Sequence, residues 1–231
     1  MKYNLFLVDA DDTLLDFHSS SRAALIATFE HFGYPWQASY GERFSRFNAG
    51  LWERLERKEI TRKELMDTRF MLFLQLLEIS DVDGRAFNEF FLQHLSTHPI
   101  YFDGAQDFLC KLRQYGKVYI VTNGTAWIQK SRFDIAKLWD YADDVFVSDL
   151  IGADKPAKAY TDYVMAHIPN FQKERAIWIG DSLSADIRAA NEAEVDSVWL
   201  NFAKKQRSNA AVPTYEATSF AEILGFFGIK A

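Results

Sequence analysis

One pattern constrains this chain more than any other: four times, a short apolar run gives way abruptly to a small polar cluster. Residues 3–8 run into Asp9-Ala10-Asp11-Asp12-Thr13, 117–121 into Thr122-Asn123-Gly124, 145–147 into Ser148-Asp149, and 176–179 into Gly180-Asp181-Ser182. Apolar runs of this length are those of strands buried on both faces, as in parallel sheets covered by helices. Residues 196–200 form a fifth candidate strand, and helical periodicity marks 105–115, 127–138, 160–168 and 184–193. Strand–helix alternation of this kind predicts an α/β fold with a Rossmann-like parallel sheet. Ligands of such sheets bind beyond the carboxyl ends of the strands, which is where every polar cluster falls. A single active site assembled from several strand-end loops is therefore expected.

Residues 19 to about 95 break the alternation. They carry helical periodicity punctuated by Gly33-Tyr34-Pro35, Ile60-Thr61 and Ser80-Asp81, and read as about four helices. Because the segment starts soon after the first strand and ends before the second, it is expected to be an inserted α-helical cap, residues 17–96. The catalytic core would then comprise 1–16 and 97–231. A length of 231 residues accommodates one main core and a second, smaller one.

Composition excludes some partners. A net charge of −6 disfavours a nucleic-acid polymer, whose phosphates call for a basic stripe. A phosphate-bearing ligand is expected to be small. No run reaches the ~18 apolar residues of a membrane span, and the first apolar run is too short for a signal peptide, so the expected location is the cytoplasm. The single Cys110 cannot form an internal disulfide, and its setting between Leu109 and Lys111 is read as the buried face of a helix. The aromatic fraction of 16% is generous enough to supply rings to a pocket as well as to a core.

The chemistry is read from the strand ends. Asp9 and Asp11 stand two apart where a strand is finishing and strict alternation no longer separates their side chains. Two carboxylates held close call for a cation. Mg²⁺ suits them, since it takes oxygen ligands and is commonly held by one or two carboxylates together with a substrate phosphate. Asp181 supplies a third carboxylate from another strand end. With a cation present, Asp9 is assigned as the nucleophile that attacks phosphorus and Asp11 as the general acid/base. Thr122, Lys155 and the loop amides after Asp9 are the candidate donors to the transferring group.

These residues stand in an order that resembles the haloacid dehalogenase superfamily of phosphohydrolases. The matching motifs are Asp9-Ala10-Asp11-Asp12-Thr13-Leu14, Val121-Thr122-Asn123-Gly124, Lys155-Pro156 and Gly180-Asp181-Ser182-Leu183-Ser184-Ala185-Asp186. The resemblance implies that Mg²⁺ is held by the Asp9 carboxylate, the Asp11 main-chain carbonyl and Asp181, with Asp186 tightening the shell directly or through water. It also implies that Thr122 and Lys155 hold the phosphoryl group, and that the inserted helices are the cap of the helical-cap subclass. Within the superfamily the chain looks most like bacterial pyrimidine 5′-nucleotidases, through its first motif, Leu51-Trp52, Ile60-Thr61, Thr122-Asn123-Gly124 and Trp199-Leu200-Asn201. That likeness implies a nucleoside 5′-monophosphate as the small phosphorylated partner; the chain is expected to be a monomer or homodimer.

Blander readings stand beside these. Asn123, Asp12 and Ser182 either contact the phosphoryl group or shape the loops around it, and Thr13 is read as a loop organiser. Trp52 and Arg69 are the candidate substrate contacts in the helical insertion, although aromatic residues at helical spacing more often form core. A sugar-phosphate phosphatase or phosphomutase would share the whole catalytic set. A haloacid dehalogenase would need no second acid such as Asp11, and a non-catalytic phosphate sensor could dispense with Asp9 or Asp11.

Overall fold

The computed structural model describes residues 2–207 and 211–230. It divides into two compact units, one made of Met1–Asp16 with Ile100–Ala231 and the other of Phe17–Pro99. The expected boundary at residue 97 falls in the last residue of a helix that ends at Thr97, so the second crossing lies a few residues later.

The larger unit is a six-stranded sheet. Strands β1 (Leu5–Val8), β2 (Lys117–Thr122), β3 (Asp144–Val147), β4 (Ala176–Gly180), β5 (Asp196–Leu200) and β6 (Tyr215–Ala217) lie in the order β3-β2-β1-β4-β5-β6. Every neighbouring pair is parallel. Around the sheet run α5 (Ala105–Tyr115), α6 (Ala126–Ala136), α7 (Ser148–Ile151), α8 (Lys158–His167), α9 (Arg188–Glu192) and α10 (Phe220–Phe226), counting from the four helices of the smaller unit. The five expected strands are present. The sixth, β6, is a three-residue edge strand with too few side chains to display a period.

Alternation within each buried strand sends successive side chains to two separate cores. Phe6 and Val8 join Ile120, Ile177 and Ile179 on one face, packed by Phe108 and Leu112 of α5 and Ile223 of α10. Leu5 and Leu7 join Val121 and Trp178 on the other, packed by Tyr160 and Val164 of α8 and Ala189 and Ala190 of α9. Burying an aliphatic or aromatic side chain of this size contributes roughly 1.5–3 kcal/mol, which is why these strands tolerate no polar residue before their ends. The register pairs Val8 with both Ile120 and Ile179. Asp9 therefore emerges level with Val121 and Gly180, and Thr122 and Asp181 follow one residue beyond.

Cys110 is exposed, against expectation. Helix α5 buries Ala105, Phe108, Leu109 and Leu112, a stripe at three- and four-residue spacing, and position 110 lies outside it.

The smaller unit is four helices: α1 (Phe17–His31), α2 (Ala38–Glu56), α3 (Arg62–Leu76) and α4 (Gly84–Thr97). The turn signals read in the sequence fall between them. Thr61 opens α3 with a capping box, its side chain accepting from the Glu64 amide while Glu64 reaches back to the Thr61 amide. Asp83 caps α4 by accepting from the Arg85 amide. The interior is aromatic. Phe44 stacks on Phe70 at 5.0 Å, Phe70 lies 4.9 Å from Phe91, and Phe29 meets Phe87 edge-on at 5.1 Å. Much of the chain's ring content is thus structural. Among the described residues no helix is long and apolar enough to cross a membrane.

Candidate active site

Four loops of the sheet unit deliver the site. Asp9 follows β1, Thr122 ends β2, Lys155 sits between α7 and α8, and Asp181 and Asp186 follow β4. Carboxylate oxygens of Asp9, Asp181 and Asp186 lie within 4.8 Å of one another, a separation suited to a shared cation. Lys155 stands among them. Its Nζ donates to Asp9 Oδ1 at 2.6 Å, to Asp186 Oδ1 at 2.7 Å and to the Val121 carbonyl at 2.9 Å, which uses all three ammonium protons.

The electrostatics follow from burial. Desolvation raises the Asp9 carboxyl above the ordinary carboxylate range, Lys155 opposes it, and the charges of Asp186 and Asp11 add to it. Asp181 is raised well above that range by burial first and then by Asp9, Asp186 and Asp12. Burial alone would depress Lys155, but the Asp186 and Asp9 carboxylates outweigh it and hold its pKa above the usual lysine value. Ionised together, the three carboxylates would outnumber the one ammonium by two negative charges, the charging that their burial opposes. The donor set, oxygen only and short of two positive charges, fits a hard divalent cation.

Local structure explains how β4 serves this cluster. Asp186 lies in a π-helical turn, Leu183–Ile187, opened by Ser182, whose hydroxyl accepts from the Ala185 amide. A π turn at a functional site is a recurrent device. The Asp186 carboxylate comes so near the β4 backbone that a Cβ on Gly180 would stand 2.3 Å from its Cγ, so that position accepts only glycine. Trp199 on β5 donates from Nε1 to the Asp181 carbonyl at 2.7 Å, fixing that loop from behind.

The remaining expected residues have definite places. Asn123 grips the Lys155 main chain at two points: its Nδ2 donates to the Lys155 carbonyl at 2.9 Å and its Oδ1 accepts from the Lys155 amide at 2.7 Å. It holds the loop that carries the lysine. Asp12 adopts a positive φ of 60°, and its amide donates to the Leu15 carbonyl at 2.7 Å, the geometry of a loop organiser. Thr122 Oγ1 accepts from Gln129 Nε2 at 2.9 Å and from the Gly124 amide at 3.2 Å.

Asp11 is oriented differently from the reading of an Asp9/Asp11 pair around one cation. Its Oδ1 accepts from Arg132 Nη1 at 2.5 Å and its Oδ2 from Gln129 Nε2 at 2.8 Å. An arginine in the second turn of α6 competes successfully for the carboxylate, and the metal-type cluster contains Asp186 in its place. Gln129 and Arg132 were not singled out from the sequence. The available signal was two long polar residues three apart on a helix stripe that also carries Ile128 and Phe133.

In the helical unit, Arg69 is buried at 2% exposure. Its guanidinium lies 5.2 Å from the Phe70 and Phe91 rings, and Nη2 donates to Asn88 at 2.6 Å. Burial lowers its pKa to about 9. Arg69 is thus a core residue here, placed there by its rings and amides. Trp52 is half-buried, with the Arg62 guanidinium 5.4 Å from its ring centre.

The family model of haloacid dehalogenase-like hydrolases matches residues 3–194, which spans all these loops. The chain belongs to that family. Hydrolases of this family use Mg²⁺, in keeping with the acidic cluster described above. This haloacid dehalogenase-like hydrolase is 34% identical to the HAD-hydrolase YfnB of Bacillus subtilis, over 99% of this chain and 97% of that protein. A crystal structure of YfnB bound to magnesium superposes with a TM-score of 0.93, covering 99% of this chain and 100% of that one. The pyrimidine 5′-nucleotidase PynA of Streptococcus pneumoniae is 34% identical, with 97% of this chain and 94% of that protein covered. The pyrimidine 5′-nucleotidase YjjG of Escherichia coli is 27% identical, with 96% and 97% covered.

Proposed function

We propose that this hydrolase is a Mg²⁺-dependent phosphomonoesterase of the cytoplasm that passes through an aspartyl-phosphate on Asp9, with pyrimidine nucleoside 5′-monophosphates as preferred substrates. The observation that carries the reading is the cluster of Asp9, Asp181 and Asp186 around Lys155, a nucleophile set among charges that a divalent cation would balance. When bound there, Mg²⁺ supplies positive charge that offsets both the carboxylates and an incoming phosphate dianion. Asp9, Asp181 and Asp186 would hold it, together with the Asp11 main-chain carbonyl.

An Asp9 carboxylate oxygen attacks phosphorus, the bond from phosphorus to the leaving oxygen breaks, and Asp11 gives that oxygen its proton. Water then attacks the same phosphorus, Asp11 takes the proton back, and inorganic phosphate and a free Asp9 carboxylate result. Thr122 contributes a hydrogen bond. Its two oxygen lone pairs are already filled by Gln129 and Gly124, so its hydroxyl proton is left to donate to a phosphoryl oxygen. Lys155 restrains Asp9 and offsets charge on the transferring group.

Phosphoryl chemistry is the same for every monoester, so selection falls on the leaving group. We assign that selection to the inserted helical unit acting as a cap, with Trp52 as the candidate ring for a base. The preference for pyrimidine nucleotides is supported by the two relatives of that activity, each matched over more than nine-tenths of its length. A panel of phosphate esters assayed with Mg²⁺ tests it. The expected result is a higher kcat/KM for pyrimidine 5′-monophosphates, deoxy and base-modified forms included, than for purine nucleotides or hexose phosphates. A sugar phosphate leading by about tenfold, or ~1.4 kcal/mol, would overturn the nucleotidase reading and leave the phosphatase reading standing.

A further inference from the structure

We propose that Arg132 and Gln129 are positioning residues for the reaction, holding the Asp11 carboxylate in its working orientation and aiming the Thr122 hydroxyl at the phosphoryl group. The inference rests on the reading of Asp11 as general acid/base and deepens it. Both residues project from α6, one turn apart, and both are buried to 1% exposure. Asp11 keeps 27% of its side chain accessible. The pair thus buries the arm and leaves accessible the group it holds.

The hydrogen bonds form a closed ring whose directions are determined. A guanidinium only donates, so Arg132 Nη1, 2.9 Å from the Gln129 amide, must face its oxygen. That choice turns Gln129 Nε2 toward its two other neighbours, Asp11 Oδ2 at 2.8 Å and Thr122 Oγ1 at 2.9 Å. Arg132 Nη1 closes the ring on Asp11 Oδ1 at 2.5 Å. Both carboxylate oxygens are therefore fixed by donors on one rigid helix, while each retains a second lone-pair direction for a substrate oxygen or a water. The side chain of Gln129 also packs on the turn after Thr122, where a Cβ at residue 124 would stand 2.3 Å from Gln129 Cγ. One amide thereby sets the positions of two groups from different strands.

A structural role alone accounts poorly for this arrangement. Buried ion pairs contribute little net stability, because desolvation consumes most of the Coulomb gain, and an apolar side chain on the inner stripe of α6 would pack the sheet as well. Placement of a proton donor, by contrast, is worth a great deal: a displacement of about 1 Å can cost about 10²-fold in rate.

The test measures kcat and KM for an alkyl ester (a nucleoside 5′-monophosphate) and an aryl ester (p-nitrophenyl phosphate), with inhibition by inorganic phosphate. The proteins are the native enzyme, Arg132→Met, Arg132→Lys, Asp11→Asn and the two double variants. Arg132→Met is expected to lower kcat for the alkyl ester about 10- to 100-fold and for the aryl ester less, with phosphate inhibition nearly unchanged. In the Asp11→Asn background the same change should cost less than about threefold, because the carboxylate that Arg132 holds is already gone and Thr122 is still held by Gln129 Nε2. Arg132→Lys keeps the charge and one donor and covers the case in which Arg132→Met fails to fold. Its smaller loss should likewise vanish beside Asp11→Asn. Losses that multiply in the double variants, or equal losses for both esters where Asp11→Asn distinguishes them, would overturn the inference. If Asp11→Asn itself fails to distinguish the esters, the acid/base reading falls and takes the inference with it.

Discussion

Asp9→Asn is expected to reduce turnover by at least about 10⁴-fold while the protein stays folded. An amide of nearly the same volume cannot attack phosphorus, and it removes one carboxylate from the cation cluster. The fold should not suffer. Burial already penalises the Asp9 charge, and Lys155 keeps its bonds to Asp186 and the Val121 carbonyl when that charge is lost. Steady-state assay and thermal unfolding, measured on the same preparation, check both halves. Residual activity above about 1% of native, a loss of only ~2.7 kcal/mol in transition-state stabilisation, would remove Asp9 from the nucleophile's role.

Chelation should have an effect of similar size. With Mg²⁺ stripped, three carboxyl groups face a single ammonium, so their full ionisation goes uncompensated and a phosphate dianion would add further negative charge. Hydrolysis is expected to fall to background and to return when Mg²⁺ is restored. A second readout is independent of turnover: a ligand that binds only the folded state at about 100 times its Kd adds about 2.7 kcal/mol of stability. Mg²⁺ should therefore raise the midpoint of thermal unfolding of the stripped protein, and Asp181→Asn should abolish most of that rise. Full activity after thorough chelation, or an equal rise in Asp181→Asn, would contradict the assignment.

The extent to which the sequence disclosed this molecule follows from how each part is built. Strands β1, β2 and β4 were legible because a strand buried on both faces runs apolar up to its loop, and β5 through its last three residues, Val198-Trp199-Leu200. The same rule exposed Asp9, Thr122 and Asp181, which are the first polar residues to escape. Strand β6 and helix α7 escaped detection because three and four residues are too few to establish a period.

Side-chain partnerships were less legible. That Asn123 grips the main chain of Lys155, or that Trp199 fixes the Asp181 carbonyl, depends on contacts between segments far apart in sequence. Gln129 and Arg132 were hidden by an ordinary-looking helix, since a polar residue on a helix is normally solvated and only its phase against Ile128 and Phe133 marks it as buried. Arg69 erred in the opposite direction. An arginine in a helical insertion suggests a ligand, but the rings of Phe44, Phe70 and Phe91 offer a cation an interior environment that spacing alone does not reveal.

The central claim is covalent catalysis by Asp9, and the most direct measurement is mass spectrometry of the native enzyme quenched in acid during turnover with Mg²⁺ and a pyrimidine 5′-monophosphate. The account predicts a phosphoryl group on the peptide that carries Asp9, absent from Asp9→Asn and from enzyme mixed with substrate after chelation. Rapid turnover with no phosphoryl group on any residue, or with one on a residue other than Asp9, would contradict it.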